Sequence, residues 1–309
     1  MPVGGGTYTV QNKILPGAYY KFRASGNTVS MGTRGIAALP VELSWGPENQ
    51  IYSLAAGDCN QLALKELGYD PTADELLLIR EALKRAKALL IYRVNSGGAK
   101  ATATVGGLTV TARWGGTRGN DLKAAVLANA DNASNVDVVT YLDGAEMDRQ
   151  TVKKSGGAAS LTANDYVTFN APATMTAAAA VSLTGGANGT VNGSSYSAWL
   201  TALEVEDFNV LGYPGTDAST KALVAAFVQR LREDEGKYIT GVLYQYTTAD
   251  SLGIISVKNG VKLSDGTVVS GDKAVAWVTG ASAAADVNES LTNTPYDGAV
   301  DVDMKYTES

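Results

Sequence analysis

Residues 90–105 read Leu90-Ile91-Tyr92-Arg93-Val94-Asn95-Ser96-Gly97-Gly98-Ala99-Lys100-Ala101-Thr102-Ala103-Thr104-Val105, and the fold turns on this stretch. Its first five residues are apolar or amphipathic and predict a buried strand. Asn95-Ser96-Gly97-Gly98 is a cluster of turn formers. Beyond it the composition changes. From there to about Ser194 the chain is rich in Ala, Thr, Gly and Val, and short strand-like runs alternate with turns. One kind of structure stops at Val94 and another begins.

Working outward, the residues before this boundary have an α/β signature. Ile36 to Leu43 predicts a strand, broken by Trp45-Gly46-Pro47. A helix is predicted from about Asp70-Pro71-Thr72, where Thr72 and Glu75 fit a capping box and proline suits a helix start. Leu76, Ile79, Leu83, Ala86 and Leu90 recur at helical spacing and would form one apolar face. Glu81 and Arg85 are placed to pair on the other face.

After the boundary, Thr102–Val105, Leu108–Ala112, Val136–Tyr141 and Val167–Phe169 predict short strands. Gly185–Gly189 and Asn192–Ser195 predict an exit linker. The α/β signature then returns. Ala198–Leu203 predicts a short helix and Phe208–Gly212 a strand. Lys221–Glu235 predicts a helix with Val224, Phe227, Val228 and Leu231 inward. Tyr238–Tyr244 predicts a further strand. Ile254–Val257, Asn259-Gly260 and Val261–Leu263 predict a hairpin, because Asn-Gly suits a type I′ turn. Lys273–Asn288 predicts an Ala-rich helix. The organisation expected is an α/β (α+β) body in two sequence halves, 31–96 and 195–309. A small β-rich peripheral domain, 97–194, is inserted between them. Residues 1–30 form an extended N-terminal arm, in which Pro16-Gly17 precedes a strand-like Tyr19-Tyr20-Lys21-Phe22.

Composition narrows the function. The 309 residues carry a formal net charge of -6, the wrong sign for neutralising phosphates, so nucleic acid is not an expected partner. There are no histidines, which excludes a Ser-His-Asp triad, a Cys-His pair and any histidine-based acid or base. The single cysteine, Cys59, cannot form an intrachain disulfide, which fits a reducing compartment. No apolar run reaches the roughly 20 residues of a bilayer span, and the N-terminus lacks the pattern of a signal peptide.

Motifs for chemistry are equally sparse. Neither GxGxxG nor GxxxxGK[ST] occurs. Gly280-Ala281-Ser282-Ala283-Ala284 has one glycine of a nucleophile elbow and no histidine to activate its serine, so it reads as a small-residue helix face. Asp301 and Asp303 share one side of a strand and read as a solvated face. Asp131 to Asp137 lacks the glycine of a calcium loop. Cys59 has no basic neighbour in sequence to lower its pKa and reads as a structural thiol. Arg80, Lys84, Arg85 and Lys87 crowd one helix; they read as solvated surface or as a face for an acidic partner. Trp114 and Tyr141 are the aromatics of the β-rich insert best suited to stacking on a sugar. No catalytic residue, metal site or cofactor is expected.

Three ordered segments carry a resemblance. The first is Pro16-Gly17-Ala18-Tyr19, then Arg34-Gly35-Ile36-Ala37-Ala38-Leu39-Pro40 and Trp45-Gly46-Pro47. The second is Ala112-Arg113-Trp114-Gly115-Gly116-Thr117-Arg118-Gly119-Asn120-Asp121. The third runs Gly253 to Val261, Asp265-Gly266-Thr267, Ala276 to Ala281, Asn288 to Thr292 and Tyr296-Asp297-Gly298-Ala299-Val300. Their order and spacing resemble the tail sheath proteins of contractile phages, defective prophage particles and phage-tail-like bacteriocins.

The resemblance implies a structural subunit and not an enzyme. It would polymerise helically around a tail tube and contract to drive the tube through a target envelope. Partners would be neighbouring sheath subunits, the tube protein, the baseplate and the tail terminator. Particles would be assembled in the bacterial cytoplasm and released by lysis, without membrane insertion. Tyr19, Tyr20, Lys21 and Phe22 would add a strand to a neighbour's sheet. The rival readings are another self-assembling tail or baseplate component and a carbohydrate-binding module. Related sheath proteins continue past Ser309 into a C-terminal arm, so a truncated chain is expected, monomeric by itself.

Overall fold

The structure, a computed structural model, describes residues 34–170, 172 and 174–306. The expected strand Tyr19–Phe22 lies outside them. The chain first makes β1 (Ile36–Val41), β2 (Ile51–Ala55), the short helix α1 (Cys59–Leu62), α2 (Leu77–Leu83) and β3 (Ala88–Arg93). A β-rich insertion follows, with β4 (Thr102–Val105), β5 (Leu108–Ala112), β6 (Leu122–Ala128), β7 (Asn135–Leu142), β8 (Ala145–Lys153), β9 (Val167–Asn170) and β10 (Ala178–Ser182). The chain then returns through α3 (Gly193–Leu203), β11 (Val210–Tyr213), α4 (Ala218–Glu233), β12 (Thr240–Tyr244) and β13 (Ile254–Val257). It closes with β14 (Val261–Leu263), β15 (Val268–Val269), α5 (Gly271–Ala284) and β16 (Ala299–Val302).

Both sequence halves build one six-stranded sheet in the order β13-β12-β11-β1-β3-β2. Neighbours are parallel except for β2, which lies antiparallel on β3 at one edge. Side-chain alternation assigns the two faces. Ala37, Leu39 and Val41 of β1 share a core with Ile79 and Ala82 of α2 and Val275 and Ala276 of α5. Ala38 between them meets Trp199 and Leu203 of α3 and Val228 and Leu231 of α4. In β3, Leu89 and Ile91 go to the first face, Leu90 and Tyr92 to the second. Strands covered on both faces lose the polar alternation of a half-exposed sheet, which is why Leu90–Val94 reads as a continuous apolar run.

The insertion forms two antiparallel sheets, β10-β6-β7-β8 and β4-β5-β9. Leu108, Val110 and Ala112 point inward at period two and share a core with Val126, Val136 and Val138. That core is continuous with the body's. Trp45, Leu67 and Tyr69 on the body side join Leu122, Leu142 and Tyr166 on the insertion side. A third small sheet, β15-β14-β16, lies near the end of the chain.

Several local expectations need correcting. Thr72 is not a helix cap. Asp70 instead accepts from the Thr72 N–H (2.9 Å) and hydroxyl (2.5 Å), a local turn that competes with helix. The helix proper begins after a 3₁₀ turn at Asp74–Leu76. Asn192–Ser195 is not a linker but the start of α3. The Asn192 side chain accepts from the Ser194 and Ser195 N–H groups, and the Ser195 hydroxyl takes the Asn192 N–H, a capping box without glutamate.

Ile254–Val257 and Val261–Leu263 do not form a hairpin. β13 finds a parallel partner in β12, and β14 pairs with β15 and β16 in another sheet. Neither Asn259 nor Gly260 adopts the positive φ that a type I′ turn requires. Gly260 serves close packing instead, since a Cβ there would lie 2.0 Å from the Val269 carbonyl oxygen.

Candidate functional site

Where the insertion leaves the body, a buried polar joint replaces the apolar core. Arg93 ends β3 at 2% exposure, and Glu48 comes from the loop between β1 and β2. They form an ion pair at 3.3 Å. The Glu48 carboxylate also accepts from the N–H of Gly97 (3.1 Å) and of Gly115 (3.0 Å), so one side chain grips two segments of the insertion. The Arg93 guanidinium donates to the Gly46 carbonyl (3.2 Å) and to Asn95 Oδ1 (3.3 Å), and that oxygen also accepts from the Leu43 N–H. The returning chain is tied to the same place by the Gly189 N–H on the Asn95 carbonyl (3.2 Å). Burial pulls the Arg93 guanidinium pKa down, and Glu48 opposes that pull.

Arg118 makes a second fastening. Its Nε donates to the Gly68 carbonyl of the body (2.8 Å) and its terminal nitrogens hold Asp121 and Asp143 of the insertion. The guanidinium also lies over the Tyr69 ring, 5.1 Å from its centroid. With a shared core and two charged fastenings, body and insertion have little freedom to hinge.

A third cluster clamps the segment leading into β16. Tyr296 stacks on Trp277 of α5, and its hydroxyl donates to the Glu81 carboxylate of α2 (2.7 Å). Glu81 is only 1% exposed and pairs with Lys84. The next residue, Asp297, receives Arg85 through two hydrogen bonds (2.5 and 2.8 Å) and the Trp277 indole N–H (2.9 Å). Arg85 beside it holds the Asp297 carboxyl below its ordinary pKa. Burial first, and Glu81 second, push the Tyr296 phenol well above its ordinary pKa. The expected Glu81–Arg85 pair is therefore absent: Glu81 faces inward and Arg85 reaches across to Asp297. Two of the cluster's four residues, Lys84 and Arg85, find acidic groups within the chain, while Arg80 is spent on the carbonyls of Pro71 and Ala73.

Beyond these joints the described residues present open sheet edges. β13 pairs only with β12 and β16 only with β14. Exposed apolar side chains flank both: Leu252 (100% exposed) precedes β13, and Val300 (69%), Val302 and Met304 lie in or just after β16.

The remaining candidates are absorbed by structure. Gly280 sits where α5 crosses α2, since a Cβ there would meet the Ala82 carbonyl oxygen at 2.1 Å. Ser282 beside it is buried, so the segment is a helix–helix contact. Asp303 accepts from the Gly260 N–H (2.7 Å), and Asp301 pairs with Lys305. Asp137 holds Asn129, Thr151 and Arg149. Burial raises the pKa of the half-buried Cys59 thiol. Trp114 lies under Arg113, whose guanidinium carbon is 5.2 Å from the indole centroid. Among the described residues no group of three or more His, Cys, Asp or Glu could hold a metal ion. A cleft of about 630 Å³ opens between the starts of α3 and α4, beside an edge-to-face pair of Tyr196 and Tyr213. Its one carboxylate, Asp217, is engaged in capping α4.

Three consecutive family matches cover this architecture. Residues 34–94 match the N-terminal region of tail sheath protein Gp18 domain III. Residues 96–188 match the phage tail sheath protein beta-sandwich domain, and residues 189–309 the phage tail sheath protein central domain. The chain belongs to the phage tail sheath protein family.

The phage-like element PBSX protein XkdK of Bacillus subtilis (strain 168) is 40% identical over 322 residues, covering 97% of this chain and 67% of that protein. The uncharacterized protein YqbK of the same organism is 40% identical with the same coverage. The chain thus spans about two thirds of the length of these curated relatives. The crystal structure of a sheath tail protein from Desulfitobacterium hafniense superposes with a TM-score of 0.85 at 47% identity, covering 94% of this chain and 68% of that one. A sheath tail protein from Listeria innocua gives 0.79 at 36% identity, covering 89% and 62%. Sheath subunits are structural proteins and not enzymes, and membership makes this chain a phage tail component that assembles with other sheath subunits. The residues that join body to insertion, Glu48, Arg93 and Asn95, were not legible as functional; their signal was only the Gly-rich boundary beside them.

Proposed function

We infer that this sheath subunit polymerises helically around a tail tube and contracts to drive the tube through a target envelope. The observation that carries the reading is the contrast between joints and edges. The buried Arg93–Glu48 pair joins body to insertion, and the Arg85–Asp297 pair and the Tyr296–Glu81 hydrogen bond hold the segment entering β16 to α2. Among the described residues, β13 and β16 leave strand edges open beside exposed apolar residues. A stiff subunit with open edges suits an assembly whose two states differ in packing between subunits. Head-to-tail contacts of that kind are heterologous and generate helices instead of closed dimers.

In this reading residues 31–96 and 195–309 form the body, 97–194 project outward, and 1–30 reach a neighbour. Tyr19, Tyr20, Lys21 and Phe22 add a strand to an open sheet edge of the next subunit, by main-chain hydrogen bonds that any sequence can make. The other partners are the tube, the baseplate and the tail terminator, in a virion or tail-like particle assembled in the host cytoplasm and released by lysis. The 309-residue chain alone is monomeric. Electron microscopy and light scattering test this: the chain alone gives no ordered tubes. Co-expression of the full-length sheath with its tube protein gives sheathed particles, and deleting residues 1–30 abolishes them. Sheathed particles from the deletion variant would overturn the role of the arm.

A further inference from the structure

Two buried nitrogen donors at the joint have no acceptor among the described residues: Nη2 of Arg93 and Nε1 of Trp45. Both residues line one small cavity of about 10 Å³. Their exposures are 2% and 1%, so solvent does not serve them from outside. The other walls are mainly apolar, from Leu43, Pro47, Leu67 and Ile91, with Gly46 and Tyr52 completing the lining.

We propose that this cavity is the binding site of a single structural water that accepts from Trp45 Nε1 and Arg93 Nη2. The volume is at the lower limit for one water and excludes any larger ligand. A water has two lone pairs, one for each of the two donors. Charge decides against a small anion. Arg93 already faces Glu48 at 3.3 Å, so an added anion would leave a net negative charge in the interior. A dry cavity would leave two donors buried without a partner, which native interiors rarely tolerate. The water ties the loop after β1, which carries Trp45, to the end of β3, where the insertion departs. It completes the polar joint that Glu48 and Asn95 begin.

The test is a crystal structure of the 309-residue chain at a resolution that orders buried waters, with a second crystal soaked in bromide. The expected result is one spherical peak within hydrogen-bonding distance of both nitrogens and no anomalous signal there. A bromide peak or a cavity without density overturns the proposal. Thermal unfolding of Trp45→Phe gives an independent reading, with Trp199→Phe as its control. Trp199 is equally buried and its indole nitrogen equally lacks an acceptor, but it does not line this cavity. Trp45→Phe is expected to lower Tm by about 2–4 °C more than the control does. An equal or smaller fall overturns the water. If either variant fails to fold, the crystallographic result decides.

Discussion

Trp277 and Tyr296 stack with ring centroids 4.4 Å apart and planes 21° from parallel. Each ring brings a polar group to a different anion. The indole N–H goes to Asp297, and the phenol goes to the buried Glu81. The segment entering β16 is therefore held against α2 and α5 by one aromatic pair and two carboxylates, where the sequence shows only Tyr296-Asp297-Gly298.

Removing the phenol separates these contributions. Tyr296→Phe keeps the stack but leaves Glu81 with Lys84 as its remaining partner. A hydrogen bond to a charged group sets the expected loss at about 1.5–3 kcal/mol. Tyr296→Ala also loses the ring and should cost at least about 1 kcal/mol more, the stacking energy that comes on top of the ring's burial. Urea unfolding of both variants checks the order; equal losses would mean the stack contributes nothing.

Acid should loosen the same clamp. Arg85 depresses the Asp297 pKa in the folded state. The unfolded chain therefore binds a proton at a higher pH than the folded one does. The stability Asp297 adds is present above the ordinary aspartate pKa of about 3.9 and is lost as pH falls through the lower folded value. Unfolding titrations from neutral pH downward should show a steeper fall for the native chain than for Asp297→Asn. Parallel curves would remove Asp297 from the account.

Alkali should act on Tyr296 in the opposite sense. Its phenol pKa is raised in the folded state. Its contribution is full below the ordinary tyrosine pKa of about 10 and declines as pH rises above that value, because only the unfolded chain then releases the proton. Tyr296→Phe should flatten the fall in stability above that pH.

Breaking the joint ion pair should be costly. Glu48→Ala leaves the Arg93 guanidinium buried without its carboxylate and frees the N–H groups of Gly97 and Gly115. The expected loss is about 3–5 kcal/mol, the range for stranding one member of a buried pair. Limited proteolysis should then cut near residues 95–98 and 186–190 faster than it cuts the native chain.

Close helix packing gives the sharpest steric prediction. Gly280→Ala places a methyl 2.1 Å from the Ala82 carbonyl oxygen, with backbone on both sides. α5 and α2 must separate, at an expected cost of about 1–3 kcal/mol, although alanine favours helices. A variant as stable as the native chain would show that the crossing can relax.

The sequence by itself determined the class of the fold and its interruption. β4 and β5 match their expected bounds because they alternate at period two, and α4 carries Val224, Phe227, Val228 and Leu231 inward as its helical spacing requires. Such patterns are local, and each strand or helix carries its own. The absence of histidine and of nucleotide motifs likewise excluded whole chemistries without any coordinates.

Other elements escaped that reading for identifiable reasons. β8 is mostly polar, reading Ala-Glu-Met-Asp-Arg-Gln-Thr-Val-Lys, because it lies at a sheet edge with much of its length exposed. β10 is mostly alanine and exposed, and offers no alternation. Only the tertiary structure decided that β13 joins the body sheet while β14 leaves it, that Glu81 is buried, and that Arg85 finds Asp297 212 residues away. The same holds for Glu48, which reaches Gly97 and Gly115 from a loop far upstream. Partners so distant in sequence leave no periodic trace, because their geometry exists only once the sheets have packed. The polar joint between body and insertion is therefore a product of folding, while the two parts that it joins are written in the chain.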